Sequence, residues 1–560
     1  MRILHLFSIF WLSISLSANS PVLNKDSITH PEVGLEGMVV TQHYLASEVG
    51  EAILNKGGNA YDATIAVAFA LAVVLPRAGN IGGGGFTVLY NSSDESFQSL
   101  DYREKAPLAA SKNMYLDKNG DVISNLSTLG YKAIAVPGTV DGMWELHKKY
   151  GSMDWKELIA PSIKLAKEGF KVSPLMADTL NRNYESLSKF SETKKIFFKE
   201  NPVKFNYLLI QKDLAKTLEK ISNNGRNGFY KGDVARKIVA DMKRNDGLIT
   251  FDDLENYKSK WRKPLIRKYK NFEVITMPPP SSGGLHLIQM LNILENFDLK
   301  SMKHNSPSYV LLLNEVMKYA YADRSQYLGD PDYVDVPVNK LISKDYARER
   351  LELIDLNAAG RSYDAGLEHG DTIYLTVADK DGNMVSLIQS NYRGMGSGIV
   401  PKDSGFMLQD RGEMFSMDPN HRNSLVGGKR PFHTIIPAFI TKNGNPFVSF
   451  GLMGGAMQPQ GHAQIVVNMI DFDMNLQEAG DAPRIRHMGS SEPTGEIMSD
   501  GGYLALESGF SVKTREDLEK LGHIIKDEKG GFGGYQAIML LNGVYFGASE
   551  SRKDGQASGY

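Results

Sequence analysis

The sequence predicts an α/β protein folded as one layered unit, and three observations carry that expectation. Apolar residues recur at i, i+3, i+4 spacing through most of the first two thirds of the chain, which is the mark of amphipathic helices. Paired, strand-like segments joined by tight-turn residues fill the last third. No linker rich in Pro, Gly or Ser separates the two textures. Helices first and strands second can make two domains, or one sheet sandwich with helices outside. The missing linker favours the sandwich.

Taken in order, Arg2 precedes the apolar run Ile3 to Ser17, which ends at Ala18-Asn19-Ser20. A basic start, a short apolar core and small residues read as a secretory signal over residues 1–18, so a periplasmic or secreted protein is expected. The alternative, a membrane anchor, needs about 20 apolar residues. Ser47 to Leu54 and Tyr61 to Leu75 are helical by spacing, and Pro76 ends the second. The segments DWKELIAPSIKLAKEGF, DLAKTLEKISNNG and DVARKIVADMKRNDG predict three further helices, each stopped at or near a glycine that accepts a left-handed cap. SPSYVLLLNEVMKYAYADR is another. Tyr374 to Ala378 and Met384 to Ser390 form a hairpin across Asp379 to Asn383; IPAFITKNGNPFVSFG turns on Asn-Gly, and GYQAIML with LNGVYFGAS gives a third.

Composition excludes several functions. The 560 residues carry a net charge of −2, without the basic excess of a nucleic-acid binder. There is no cysteine, so disulfides, thiolate metal sites and a cysteine nucleophile are ruled out. The motifs H-E-x-x-H, G-x-S-x-G and G-x-G-x-x-G are absent, so no metal or cofactor is expected. Two glycine-rich turns stand out. The run Gly79 to Phe86 permits close approach of another backbone or of a ligand. Gly454-Gly455, after a predicted strand, can aim two backbone N–H groups at one point, as an oxyanion hole requires. Alone, Thr372 reads as a strand residue and Arg103 as a surface or salt-bridge arginine.

These weak signals fall in the order of one family. GGNAYDATIAVAFALAVVLPRAGNIGGGGF, LDYREKAP, GDTIYLTVADKDGNMVSLIQSNY, GSGIV, GGKRP, GLMGGAMQPQGH and DAPRIRH together resemble the γ-glutamyltransferases, from about Val39 to the C-terminus. The resemblance implies a four-layer αββα N-terminal-nucleophile hydrolase sandwich. It implies a precursor that cleaves itself between Asp371 and Thr372, giving a large chain (19–371) and a small chain (372–560) that stay together. Thr372 matches the nucleophile. Its freed α-amine is a base near neutral pH, since a terminal amine ordinarily titrates at about 7.7–8.0. Ser390 stands where the family usually has a threonine that hydrogen-bonds the nucleophile. Gly454 and Gly455 match the oxyanion pair, and Arg103 matches the arginine that grips the substrate α-carboxylate. The implied substrate is a small γ-glutamyl or acyl amide, with no nucleic acid and no stable membrane insertion.

The departures concern specificity. The family commonly holds the γ-glutamyl amine with Asn, Gln and Asp; the aligned positions here are Tyr392, Arg411 and Met414. Two serines that assist the carboxylate are replaced by His433 and Thr434. An ammonium facing Arg411 is repelled. The expectation is a γ-glutamyltransferase or glutathione hydrolase, with a glutaryl-type acylase as the alternative. A third reading is a non-catalytic binding protein on the same fold.

Overall fold

The computed structural model describes residues 27–360, 371–495 and 498–560. The expected signal segment 1–18 lies outside the described residues. Fourteen strands form two seven-stranded sheets. One sheet runs in the order Gln556–Gly559, Met38–Thr41, Asp371–Ala378, Met384–Tyr392, Gly84–Asn91, Ser96–Tyr102, Lys260–Arg262. The other runs Glu32–Gly34, Val544–Ser549, Gly534–Leu541, Asn445–Met453, Ala438–Lys442, Phe272–Thr276, Leu265–Tyr269. Both therefore mix strands from either side of Asp371.

Side-chain alternation builds the layers. Along Asp371–Ala378, Ile373, Leu375 and Val377 face a helical core, while Tyr374 and Ala378 face the second sheet. The helical core contains Ala60–Val74, a helix buried at every residue and rich in alanine, so it lies close against the strands. Its start is fixed by a capping box between Asn59 and Asp62, worth about 1 kcal/mol. Phe86, Val88, Ile275, Ile388, Ile435, Phe439 and Ile538 fill the space between the sheets. Helices Ser282–Leu294, Pro307–Tyr327 and Met457–Ile470 cover the far face of the second sheet. The result is the αββα sandwich expected from the resemblance.

Local expectations hold with informative exceptions. The three hairpins form, and Asn443-Gly444 and Asn542-Gly543 both have positive φ at each turn residue, as a type I′ turn demands. Helices Trp155–Glu168 and Lys212–Asn224 stop at Gly169 and Gly225, both at positive φ. Helix Gly232–Arg244 differs: Asp246, at φ 59°, takes the left-handed position before Gly247. Aspartate tolerates that region through local hydrogen bonding. Among the described residues no helix is long and apolar enough to cross a membrane.

Candidate active site

The strand expected from Tyr374 begins earlier, at Asp371, and so carries the Asp371–Thr372 bond inside the sheet. Its pairing with Met384–Tyr392 is irregular there. Ile373 lies opposite Gln389, but Asp371 lies opposite Tyr392, so the partner strand holds one extra residue. Such a bulge bends a strand and re-aims its side chains. Tyr392 absorbs the distortion at φ 76°, a region that costs a non-glycine residue roughly 1–2 kcal/mol. The bulge leaves the Ser390 hydroxyl as a common acceptor: the Tyr392 N–H donates to it at 2.8 Å and the Thr372 hydroxyl at 3.2 Å. Thr372 and Ser390 are both buried.

The second sheet supplies the other wall. Strand Asn445–Met453 ends at Gly454 and Gly455, with φ of 126° and 58°, and helix Met457–Ile470 begins at once. A helix start concentrates unpaired N–H groups and partial positive charge. Gln458, in the first turn of that helix, donates from Nε2 to Thr372 Oγ1 at 3.5 Å, while its Oε1 accepts the Ile436 N–H at 2.9 Å. Sequence reasoning missed Gln458, although it lies in the GLMGGAMQPQGH segment. The earlier glycine run completes the enclosure. A Cβ at Gly83 would lie 2.6 Å from the Ser390 carbonyl oxygen, so that backbone packs directly on the bulge.

Arg103 is fully buried, not a surface residue. Its guanidinium pairs with Glu104 at 2.6 Å, donates to the Gly84 carbonyl, and lies 5.8 Å from the centre of the Phe86 ring. Burial lowers its pKa to about 9, with Glu104 opposing and Arg411 adding to the shift, so it stays protonated at neutral pH. His433 meets the same Phe86 ring edge-on at 5.7 Å. Burial, then the charges of Arg103 and Arg411, hold His433 neutral. Neither its ring nitrogens nor the Thr434 hydroxyl has a hydrogen-bond partner among the described residues. Arg411 is also fully buried and lies 4.6 Å from the centre of the Tyr392 ring.

The two acids near Arg411 in sequence face another cation. The Arg393 N–H donates to Asp410 Oδ1 at 3.1 Å, and the Arg393 guanidinium pairs with Glu413 at 2.6 Å. Burial raises Asp410 to about 7, against the backbone hydrogen bond and the charges of Arg393 and Arg411. Met414 packs with Leu328, Tyr392 and Phe432 in an apolar cluster. A cavity of about 530 Å³ is lined by Met453 and Gly454 and by the cations Arg77, Arg182, Arg393, Arg486 and Lys553, with no acidic side chain among the described residues that line it. Thr372, Ser390, Tyr392 and Arg411 thus form one run of contacts, Gln458 links Thr372 to the helix that follows Gly454 and Gly455, and Arg103 and His433 both lie against Phe86. The side chain of Asp371 lies outside the described residues.

The arrangement can support acyl transfer. A hydroxyl on a rigid strand, a hydroxyl acceptor beside it and a glycine pair at a helix start are the parts such chemistry requires. Known proteins agree. The family described as Gamma-glutamyltranspeptidase matches residues 46–560. The glutathione hydrolase proenzyme of Escherichia coli (strain K12) is 40% identical over 556 residues, covering 96% of this chain and 94% of that protein. The acylase ACY 1 proenzyme of Pseudomonas sp. (strain V22) is 35% identical, covering 94% of both chains. Among solved structures, cephalosporin acylase from Bacillus halodurans superposes with a TM-score of 0.85 at 33% identity, over 95% of this chain and 97% of that one. The motifs, the αββα sandwich and these matches across nearly the whole sequence agree that the chain belongs to the γ-glutamyltranspeptidase family.

Proposed function

We propose that this enzyme is made as a precursor, cleaves itself before Thr372, and then transfers an acyl group from a small amide donor to water or to an amine. The observation that carries this reading is the Thr372 hydroxyl, buried at a strand bulge and hydrogen-bonded to Ser390. In the precursor, Thr372 Oγ attacks the Asp371 carbonyl carbon, and the peptide bond becomes an ester. Water opens the ester, leaving the Asp371 carboxylate and a free Thr372 amine. In the mature enzyme that amine takes the hydroxyl proton as Oγ attacks the donor carbonyl. The N–H groups at Gly454 and Gly455 stabilise the oxyanion. The amine product leaves with the proton, and water or a second amine releases the acyl group.

By relationship the donor is a γ-glutamyl amide of the glutathione type, the substrate named for the Escherichia coli relative. The acylase relatives offer a second reading, a donor chain without the α-amine. It is favoured by Arg411 and Met414 at the amine-holding positions, and by the attachment of Asp410 and Glu413 to Arg393. The signal-like start supports export to the periplasm or medium, with the two product chains remaining associated. Intact mass and N-terminal sequencing of purified protein test the core reading. Two chains are expected, one starting at Thr372, and Thr372→Ala should leave one. A single chain of wild type would favour a binding protein on this fold.

A further inference from the structure

The cavity of about 530 Å³ beside Gly454 has a wall of one sign. Its charged lining residues among those described, Arg77, Arg182, Arg393, Arg486 and Lys553, are all cations and come from five separate segments of the chain. The carboxylates near them do not line the cavity. Asp178 pairs with Arg182 at 2.6 Å on the exposed side of its helix. Glu413 pairs with Arg393 at 2.6 Å, and Asp410 lies 3.9 Å from the same guanidinium. Glu550 is shared between Arg484 at 2.5 Å and Arg552 at 2.9 Å, and Asp554 accepts the Ser173 hydroxyl at 2.6 Å. Lys553 is held against the site: a Cβ at Gly534 would lie 2.7 Å from Lys553 Cγ and would strike Met453, the residue before Gly454. Desolvation, then Arg77, lowers the Lys553 amine to about 8, with Arg484 and Arg552 adding to the shift and Glu550 opposing it. Arg182 lowers Arg77 in the same way, so Arg182, Arg77 and Lys553 form one electrostatic row. Like charges gathered in a cavity wall repel, and an anion seated among them relieves the repulsion.

Arg103, Tyr392, Arg411, His433 and Thr434, the residues expected around the acyl chain, do not line this cavity, whereas Gly454 does. We infer that the cavity seats the amine that attacks the acyl-enzyme, and that the preferred acceptor carries two or more carboxylates, as an acidic amino acid or a peptide with an acidic side chain does. The inference rests on the acyl-transfer reading at Thr372. The amine nitrogen attacks the ester carbon, the bond from that carbon to Thr372 Oγ breaks, and the proton shed by the attacking nitrogen returns to Thr372. Each guanidinium offers a fork that fits one carboxylate, and cations from five segments are too many for a single acid group. Arg182, with a side chain 66% exposed, stands at the rim and draws the anion in. The reverse of the same step gives the route of the leaving amine, so amide donors with an acidic leaving group gain from the same contacts.

The test pairs glycyl-L-glutamate with glycyl-L-glutamine, which differ by one negative charge at nearly constant shape. Calorimetric titration of the purified full chain reads binding. The acceptor KM with a saturating p-nitroanilide donor, γ-glutamyl or glutaryl, reads use. Glycyl-glutamate should be favoured about tenfold in both, the effect of one added charge-assisted contact. Arg182→Glu, at an exposed side chain, should cut that ratio at least threefold, and so should Lys553→Gln, with thermal unfolding as the check on folding. A preference below threefold in wild type, or a ratio unchanged in both variants, overturns the inference. Preferential binding of glycyl-glutamate without its use as an acceptor, by enzyme that turns over either anilide, overturns it as well. The titration requires no turnover, so a chain silent on both anilides would count against the Thr372 chemistry while the titration still decides the charge preference of the cavity.

Discussion

Replacing Ser390 with alanine removes one oxygen that accepts two hydrogen bonds. The Tyr392 N–H at 2.8 Å and the Thr372 hydroxyl at 3.2 Å both lose this bond in a fully buried setting. A buried donor left unpaired costs about 1–3 kcal/mol. The Tyr392 bond also helps to hold a backbone at φ 76°, so its loss lets the bulge relax and the Thr372 hydroxyl swing. The combined loss at the transition state is about 2–4 kcal/mol, or roughly a 30- to 1,000-fold slowing at 1.36 kcal/mol per tenfold. The same factor applies to precursor cleavage and to acyl transfer, because both use the same oxygen. A denaturing-gel time course reads the first, and single-turnover release of p-nitroaniline reads the second. Ser390→Thr retains the hydroxyl and should recover both to within about tenfold. If Ser390→Ala cleaves itself and turns over within threefold of wild type, the shared-acceptor argument is wrong, whatever its melting temperature.

Gly454→Ala places a side chain at φ 126° with its Cβ 3.1 Å from the Gly533 Cα, and should cost about 10²–10³ in kcat, measured on protein that has already been processed. Gln458→Ala should slow acyl transfer more than it destabilises the fold, because Gln458 holds both Thr372 Oγ1 and the Ile436 N–H; steady-state kinetics beside thermal unfolding separate the two effects. Asp410 has a folded pKa of about 7, above its unfolded value of about 3.9, so the folded state keeps a proton that the unfolded chain releases. Its contribution is therefore fully present below about pH 4 and is lost as pH rises to 7, by up to about 4 kcal/mol. Asp410→Asn should flatten that decline in urea unfolding between pH 5 and pH 8, and an unchanged slope would refute the assignment. The rate of acyl transfer should fall about tenfold per pH unit below the pKa of the Thr372 amine, since only the neutral amine accepts the hydroxyl proton.

Much of this was legible in the sequence, and what was not has physical causes. Asn-Gly turns and helical spacing are local signals, so the hairpins at Asn443-Gly444 and Asn542-Gly543 and helix Ala60–Val74 could be read directly. Sheet order depends on partners far apart in the chain, such as Gln556–Gly559 beside Met38–Thr41, and no local pattern encodes it. The bulge at Tyr392 was also hidden, because one extra residue leaves the surrounding alternation intact. The burial of Arg103 was hidden for a similar reason: its counterion Glu104 is the next residue, and the pair reads as ordinary surface charge. Arg411 was visible as a departure from the family pattern. Only the structure shows that Asp410 and Glu413, its neighbours in the chain, attend Arg393 instead.

The interleaving of strands has a consequence for refolding. Strand Asp371–Ala378 pairs with Met38–Thr41, which pairs in turn with Gln556–Gly559; the backbone N–H groups of Leu35 and Glu36 both donate to the carbonyl of the last residue, Tyr560. A cut before Thr372 removes none of these bonds, so it leaves the native state almost undisturbed. It does change the unfolded state, which becomes two molecules instead of one. The intact precursor brings these strands together at the effective concentration of a single tethered chain, up to the millimolar range. The separated chains must find each other by diffusion. Denatured Thr372→Ala protein should therefore refold at a rate independent of concentration, and denatured mature enzyme at a rate that falls on dilution. Maturation would then be folding-irreversible: the molecule assembles once as a monomer and afterwards persists as a dimer that it cannot easily rebuild.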